Sequence, residues 1–193
     1  MPWEKSFDEN EIVDRAMRVF WSKGYASSSI NDLTSATGIN RGSLYNAFGG
    51  KLKLFTRGLL KYDLEHRRSF LSELEAMNDP LTSFERCFEA VIAQTLTDKE
   101  KKGCFLVNTA SELPFHEEEV RTIVNRGLLE FEQFFQRGIE VAQARKQVPL
   151  SVHPANAAKA LMAMIVAIRV LGRGVFSETA LHAIATEAKR LLK

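Results

Sequence analysis

The stretch Ser28 to Phe48, SSINDLTSATGINRGSLYNAF, constrains this chain more than any other. It reads as two short helices joined by a tight turn. Ser29 caps the first, with its hydroxyl accepting a backbone N–H. Ile30, Leu33 and Thr37 recur at helical spacing and give that helix an inner stripe. Gly38 ends it and Ile39 plugs the corner. Asn40 caps the second helix, and Leu44 and Phe48 point back inward. Arg41, Gly42, Ser43, Tyr45 and Asn46 are left facing out. A short helix presenting these groups fits the major groove of DNA, where they meet base edges and phosphates. The same spacing also suits an ordinary helical hairpin with a solvated face.

The flanks favour the DNA reading. Upstream, Ile12, Ala16, Val19 and Phe20 form an amphipathic helix stopped at Gly24-Tyr25. Downstream, Phe48-Gly49-Gly50-Lys51 breaks the chain and opens another helix, with Leu52, Leu54 and Phe55 apolar. Ala16 to Phe20, Gly24-Tyr25, Ser29-Ile30 with Leu33, Ala36 with Gly38-Ile39, Gly42 to Tyr45 with Phe48, and Lys51 with Leu54 form one ordered pattern. The pattern resembles the DNA-binding domain of TetR/AcrR-family transcriptional regulators over about the first quarter to third of the chain. Gly49-Gly50 departs from it, since the family usually carries one bulkier residue there. The doublet should loosen the turn without removing Lys51.

The resemblance implies an all-α protein. It would have a three-helix helix-turn-helix domain over 1–50 and a six-helix ligand-binding and dimerisation domain over 51–193. It also implies phosphate contacts at Ser29, Tyr45 and Lys51. Chemistry agrees: a helix start adds partial positive charge beside Lys51. Arg41, near the start of its helix, can pair with a guanine edge. Tyr45 also suits a purely structural role, and Lys51 a solvated lysine.

Charge supports the same end of the molecule. The formal net charge is only +2. Between Asn40 and Lys61, however, Arg41, Lys51, Lys53, Arg57 and Lys61 occur with no acidic residue. Such a basic surface is what phosphate contact requires. No apolar run reaches the roughly 18 residues of a membrane span, so no membrane partner is expected. The opening MPWEKSFDENE has no apolar signal core, which points to a cytoplasmic chain.

The remainder reads as helices over about 51–77, 81–96, 104–112, 117–145, 155–172 and from Ser177 to the end. Seven of the 13 phenylalanines lie between positions 84 and 135. Phe88, Ile92, Cys104, Phe105, Asn108, Phe131 and Phe135 are the candidate lining of an apolar cavity. The same side chains can instead fill that space solidly. In the family, such a cavity takes a small inducer. Cys104 follows Lys101-Lys102-Gly103 at a helix start, where positive charge favours thiolate. It is a candidate redox or electrophile switch, or a small packed residue. Cys87 lies in an apolar helix face and reads as inert.

Two stripes, Leu161, Met164, Ile165 and Ile168, then Leu181 and Ile184, are the candidate homodimer surface. Both also suit packing within one chain. The family pairs this region of two subunits across a two-fold axis. No phosphate-binding glycine loop, nucleophile elbow or paired-cysteine metal motif occurs, and the four histidines are scattered. Neither an enzyme nor a bound cofactor or metal is expected. The expected function is a repressor that leaves a palindromic operator, in double-stranded DNA, when a small inducer binds. A thiol sensor of the same fold, or a helical binding module without an operator, are the alternatives.

Overall fold

The computed structural model describes residues 7–193. The first six residues, including most of the expected signal-free opening, lie outside the described part. Every regular element among the described residues is helical. The head comprises α1 (Glu9–Lys23), α2 (Ile30–Thr37) and α3 (Arg41–Phe48). Asp8 starts α1 by accepting the Asn10 N–H at 2.8 Å, with Glu9 and Glu11 in the positive first turn. Ile12, Val13, Ala16, Met17 and Phe20 form its buried face.

A long rod follows. It runs through α4 (Lys51–Tyr62), a π-helical segment (Asp63–Arg68) and α5 (Ser69–Glu75). The sequence suggested one plain helix here. The π turn carries a cluster of charges. Asp63 and Arg67 are buried and paired, and Arg68 Nε also reaches Asp63 Oδ2 at 3.2 Å. An i to i+5 contact matches the π repeat rather than the α repeat. Glu130 completes the cluster, accepting from Arg67 at 2.6 Å and Arg68 at 2.8 Å.

The body is built from α6 (Pro80–Thr97), α7 (Phe105–Ser111), a 3-10 turn (Leu113–Phe115), α8 (Glu118–Ala144), α9 (Pro154–Leu171) and α10 (Glu178–Arg190). Its core packs Phe84, Phe88, Phe131, Phe134 and Phe135 against Leu161, Ile165, Ile168 and Leu181. The head has its own core, and that core does not stop at residue 50. It continues through Leu54, Phe55, Leu59 and Tyr62 into Phe105, Leu106, Val120, Ile123 and Val124 of the body. Head and body thus share apolar contacts along α4.

Three sequence expectations need correction here. Leu161, Ile165, Ile168 and Leu181 do not form an outer stripe, because they are buried within one chain. Only Met164 and Ile184 of that set are half-exposed. Small apolar residues, Ala160, Ala163, Ala167 and Val170, face outward on α9 instead. The helix is 18 residues long with mean hydropathy 1.5, yet only 33% of it is buried. The apolar segment is therefore longer than the sequence reading allowed. The basic surface is also narrower. Lys53 pairs with Glu119 at 2.7 Å, Arg57 with Glu9 at 2.9 Å and Lys61 with Asp14 at 2.9 Å. Those three cations tie α4 to α1 and α8. Of the five, Arg41 and Lys51 have no carboxylate partner among the described residues.

Candidate nucleic-acid interface and body cavity

The recognition helix is fixed from both ends. Asn40 Oδ1 accepts the Ser43 N–H at 2.8 Å, which leaves the Asn40 amide NH2 free to donate. Gly49 closes α3 by donating to the Tyr45 carbonyl at 2.8 Å. Gly50 follows at φ +117°, buried, and a Cβ there would lie 3.3 Å from the Tyr45 ring. Only glycine suits that combination. The doublet therefore sets the turn tightly and does not loosen it.

Arg41, Gly42, Tyr45 and Asn46 are exposed together on the outer face of α3, with Ser43 half-buried beside them. The Arg41 guanidinium lies 5.7 Å from the Tyr45 ring centre, within cation–π range. Lys51 stands 4.4 Å over the Tyr25 ring and 3.5 Å from the Ala26 carbonyl. Partial burial lowers its pKa, while the nearby Asp32 charge opposes that shift. Ser29 is more committed than its sequence position suggested. Its hydroxyl accepts from Asp32 N at 3.0 Å while its backbone N–H donates to Asp32 Oδ2 at 2.8 Å, which closes a capping box, and the hydroxyl also donates to Oδ2 at 2.7 Å. Hydrogen bonds from Lys23 and then Ser29 hold the Asp32 carboxyl well below the usual range. The Tyr25 platform under Lys51 escaped sequence reading. Gly24-Tyr25 flagged the position but not the ring's neighbour.

The candidate lining residues do not share one cavity. Cys104 and Phe131 line a space of about 490 Å³ between the rod and α6 to α9. Its wall also carries Trp21, Tyr62, Val91, Leu106, Met162 and Ile165. Phe88 opens on a separate cleft of about 400 Å³ beside α10. Phe105 and Asn108 border a polar gap of about 160 Å³ at the seam of head and body. Ile92 and Phe135 are packed inside the body core. Asn108 holds a loop, donating to the Lys102 carbonyl at 2.6 Å.

Cys104 accepts a hydrogen bond from the Tyr62 hydroxyl at 3.5 Å on the wall of the larger cavity. Burial, and then the thiol, push the Tyr62 phenol pKa well up. The cation expected beside the thiol is committed elsewhere. Lys102 pairs with Glu100 at 2.9 Å and stands over the Trp21 ring. Helix α7 is only seven residues long, so its N-terminus contributes little. Burial raises the Cys87 thiol pKa strongly, in keeping with an inert residue.

Two residues missed by sequence reading couple head to body. The Trp21 indole donates to the Gly103 carbonyl at 3.1 Å. Gly103 has φ +69°, and a Cβ there would lie 3.0 Å from Arg173 and 3.2 Å from the Arg169 carbonyl. The loop thus touches α1 and the end of α9 at once. His116 is the second residue. It is buried against Phe55, ring over ring at 5.5 Å, and neither nitrogen has a hydrogen-bond partner.

Comparison with known proteins agrees with this geometry. The family model described as bacterial regulatory proteins, tetR family, matches residues 12–57. The tetracyclin repressor-like C-terminal domain matches residues 80–187. The chain is 29% identical over 193 residues to the HTH-type transcriptional repressor ComR of Escherichia coli (strain K12), covering 97% of this chain and 90% of ComR. Two solved structures share the fold. The CifR cysteine mutant in complex with 26-base-pair operator DNA aligns with a TM-score of 0.84 at 24% identity, covering 98% of both chains. AibR with isovaleryl coenzyme A and operator DNA aligns with a TM-score of 0.72 at 16% identity, covering 95% of this chain and 97% of AibR. The two family models match most of the chain between them, and the chain belongs to the TetR family of bacterial regulatory proteins.

Proposed function

We propose that this chain is a DNA-binding transcriptional repressor whose grip on an operator is released by a small molecule in the 490 Å³ cavity. The carrying observation is the outer face of α3. Arg41, Tyr45 and Asn46 are exposed there on a helix capped at both ends, while Lys51, with no carboxylate partner among the described residues, stands at the next helix start over the Tyr25 ring. The role is one of binding rather than catalysis, and it belongs in the cytoplasm with the chromosome. ComR, itself a repressor, supports repression over activation.

A palindromic operator calls for two heads. The outward face of α9, with Ala160, Ala163, Ala167 and Val170, flanked by Met164 and by Ile184 of α10, suits a two-fold helix-to-helix homodimer contact. Small side chains let the backbones of two such helices approach closely.

The test is fluorescence anisotropy with duplex DNA from the region upstream of the protein's own gene, titrated with salt. Specific binding that falls steeply with salt supports the reading, because each phosphate contact releases counterions. Equal affinity for this and for scrambled duplex would overturn it.

A further inference from the structure

The 490 Å³ cavity is apolar over most of its wall, but its charged groups are unevenly satisfied. Glu65 pairs with Lys61 at 3.4 Å, Lys102 with Glu100 at 2.9 Å, and Asp98 accepts the Gly103 N–H at 2.9 Å. Asp98 has no cation within ion-pair distance among the described residues, and three further side chains depart from this balance. Arg169 is half-buried, donates only to the amide oxygen of Gln94, and has no carboxylate within ion-pair distance among the described residues. Arg67 is buried, and its Nη1 has no partner despite the bonds of Nε and Nη2 to Asp63 and Glu130. Glu73 also lacks a cation, but it is exposed, where water satisfies it.

Position decides between the groups that have no counter-ion, Arg169, Asp98 and Glu73. An exposed carboxylate loses little by standing alone, whereas a guanidinium away from water needs a counter-charge. A buried donor without an acceptor calls for an explanation of its own. Arg67 and Arg169 lie on different elements, the π turn of the rod and the end of α9, yet both line this one cavity. A guanidinium prefers a carboxylate, which it can engage with two parallel N–H donors. Val91, Leu106, Val107, Phe131, Met162 and Ile165 offer the rest of the molecule an apolar bed.

We propose that the cavity selects a molecule with a carboxylate at one end and an apolar body, the acid group being taken by Arg169. This rests on reading the cavity as the ligand site. The rod itself forms part of the cavity wall, through Tyr62, Glu65 and Phe70.

Isothermal titration of the full chain with decanoate, 1-decanol and decylamine separates the possibilities. Decanoate should bind at least about tenfold tighter than decanol, as one well-placed charged hydrogen bond allows, and decylamine should be weakest. Arg169→Gln, checked for an unchanged melting temperature, should reduce decanoate to the affinity of decanol and leave decanol unaltered. The proposal is overturned if decanol or decylamine equals decanoate, or if Arg169→Gln binds decanoate like the parent protein. If none of the three probes binds while operator DNA still does, the cavity reading fails and takes this proposal with it.

Discussion

Two side chains on the head carry separable tasks. Lys51 meets DNA as a charge, so Lys51→Ala should weaken binding to every sequence and flatten the salt slope by about 0.9. Arg41 reads an edge, so Arg41→Ala should cost about 1–3 kcal/mol and relax preference at one base position. Operator binding unchanged in both variants would mean that another surface holds the DNA. Ser29 was legible as a cap from its spacing alone. The tie of its partner Asp32 to Lys23 at 2.5 Å was not, because that contact crosses from one helix to another. His116 offers a prediction in pH. Burial lowers its pKa, with Glu112 at 3.9 Å opposing the shift. An unfolded histidine titrates near about 6.5. Between that value and the lower folded value, only the unfolded chain holds the extra proton. Stability should therefore be complete above about pH 6.5 and decline as the pH falls below it. Thermal melts of His116→Phe should lose that part of the slope. A variant profile that parallels the parent profile would assign the acid sensitivity elsewhere.

Among the elements, α9 shows where sequence reading stops. Caps and glycines placed the ends of α1, α2 and α3, since those signals are local. The apolar stripe of α9 was visible too, but the helix is apolar on nearly every side. Leu161, Ile165 and Ile168 face the core while Ala160, Ala163 and Ala167 face out. A chain sequence gives the phase of a helix and not the direction of its neighbours. The lining residues failed for the same reason: Phe88, Phe105 and Phe131 sit on correct helices that aim at three different spaces. The π turn had no local signal, because its partner Glu130 comes from α8, 62 residues beyond Arg68. The corrected face yields a sharp test. Ala163→Glu with Ala167→Glu adds like charges to the outer face of α9 without touching the core. Light scattering at micromolar concentration should show a folded monomer with operator affinity reduced at least about tenfold, since two heads no longer bind as one. Ile165→Glu should instead destabilise the chain itself, by burying a carboxylate with no partner. A double variant that remains dimeric would move the interface off α9.

At the scale of the whole molecule, head and cavity are joined by the rod, by the Trp21–Gly103 hydrogen bond and by one apolar core shared across α4. Such coupling must run both ways. Whatever factor saturating decanoate takes from operator affinity, operator DNA should take from decanoate affinity. The two titrations, run in either order, check the equality. An operator affinity indifferent to decanoate would show a cavity that binds without signalling. The π turn has one more consequence, in terms of descent. It holds an added residue, while the helices on either side keep their own ladders. A lineage can gain or lose a single residue there without turning Leu54 and Leu59 from the head or Leu71 and Leu74 from the body. Orthologues with rods one residue shorter should have shed the Asp63–Arg68 spacing along with the wide turn, and alignments without a gap at this point will mispair half of the rod.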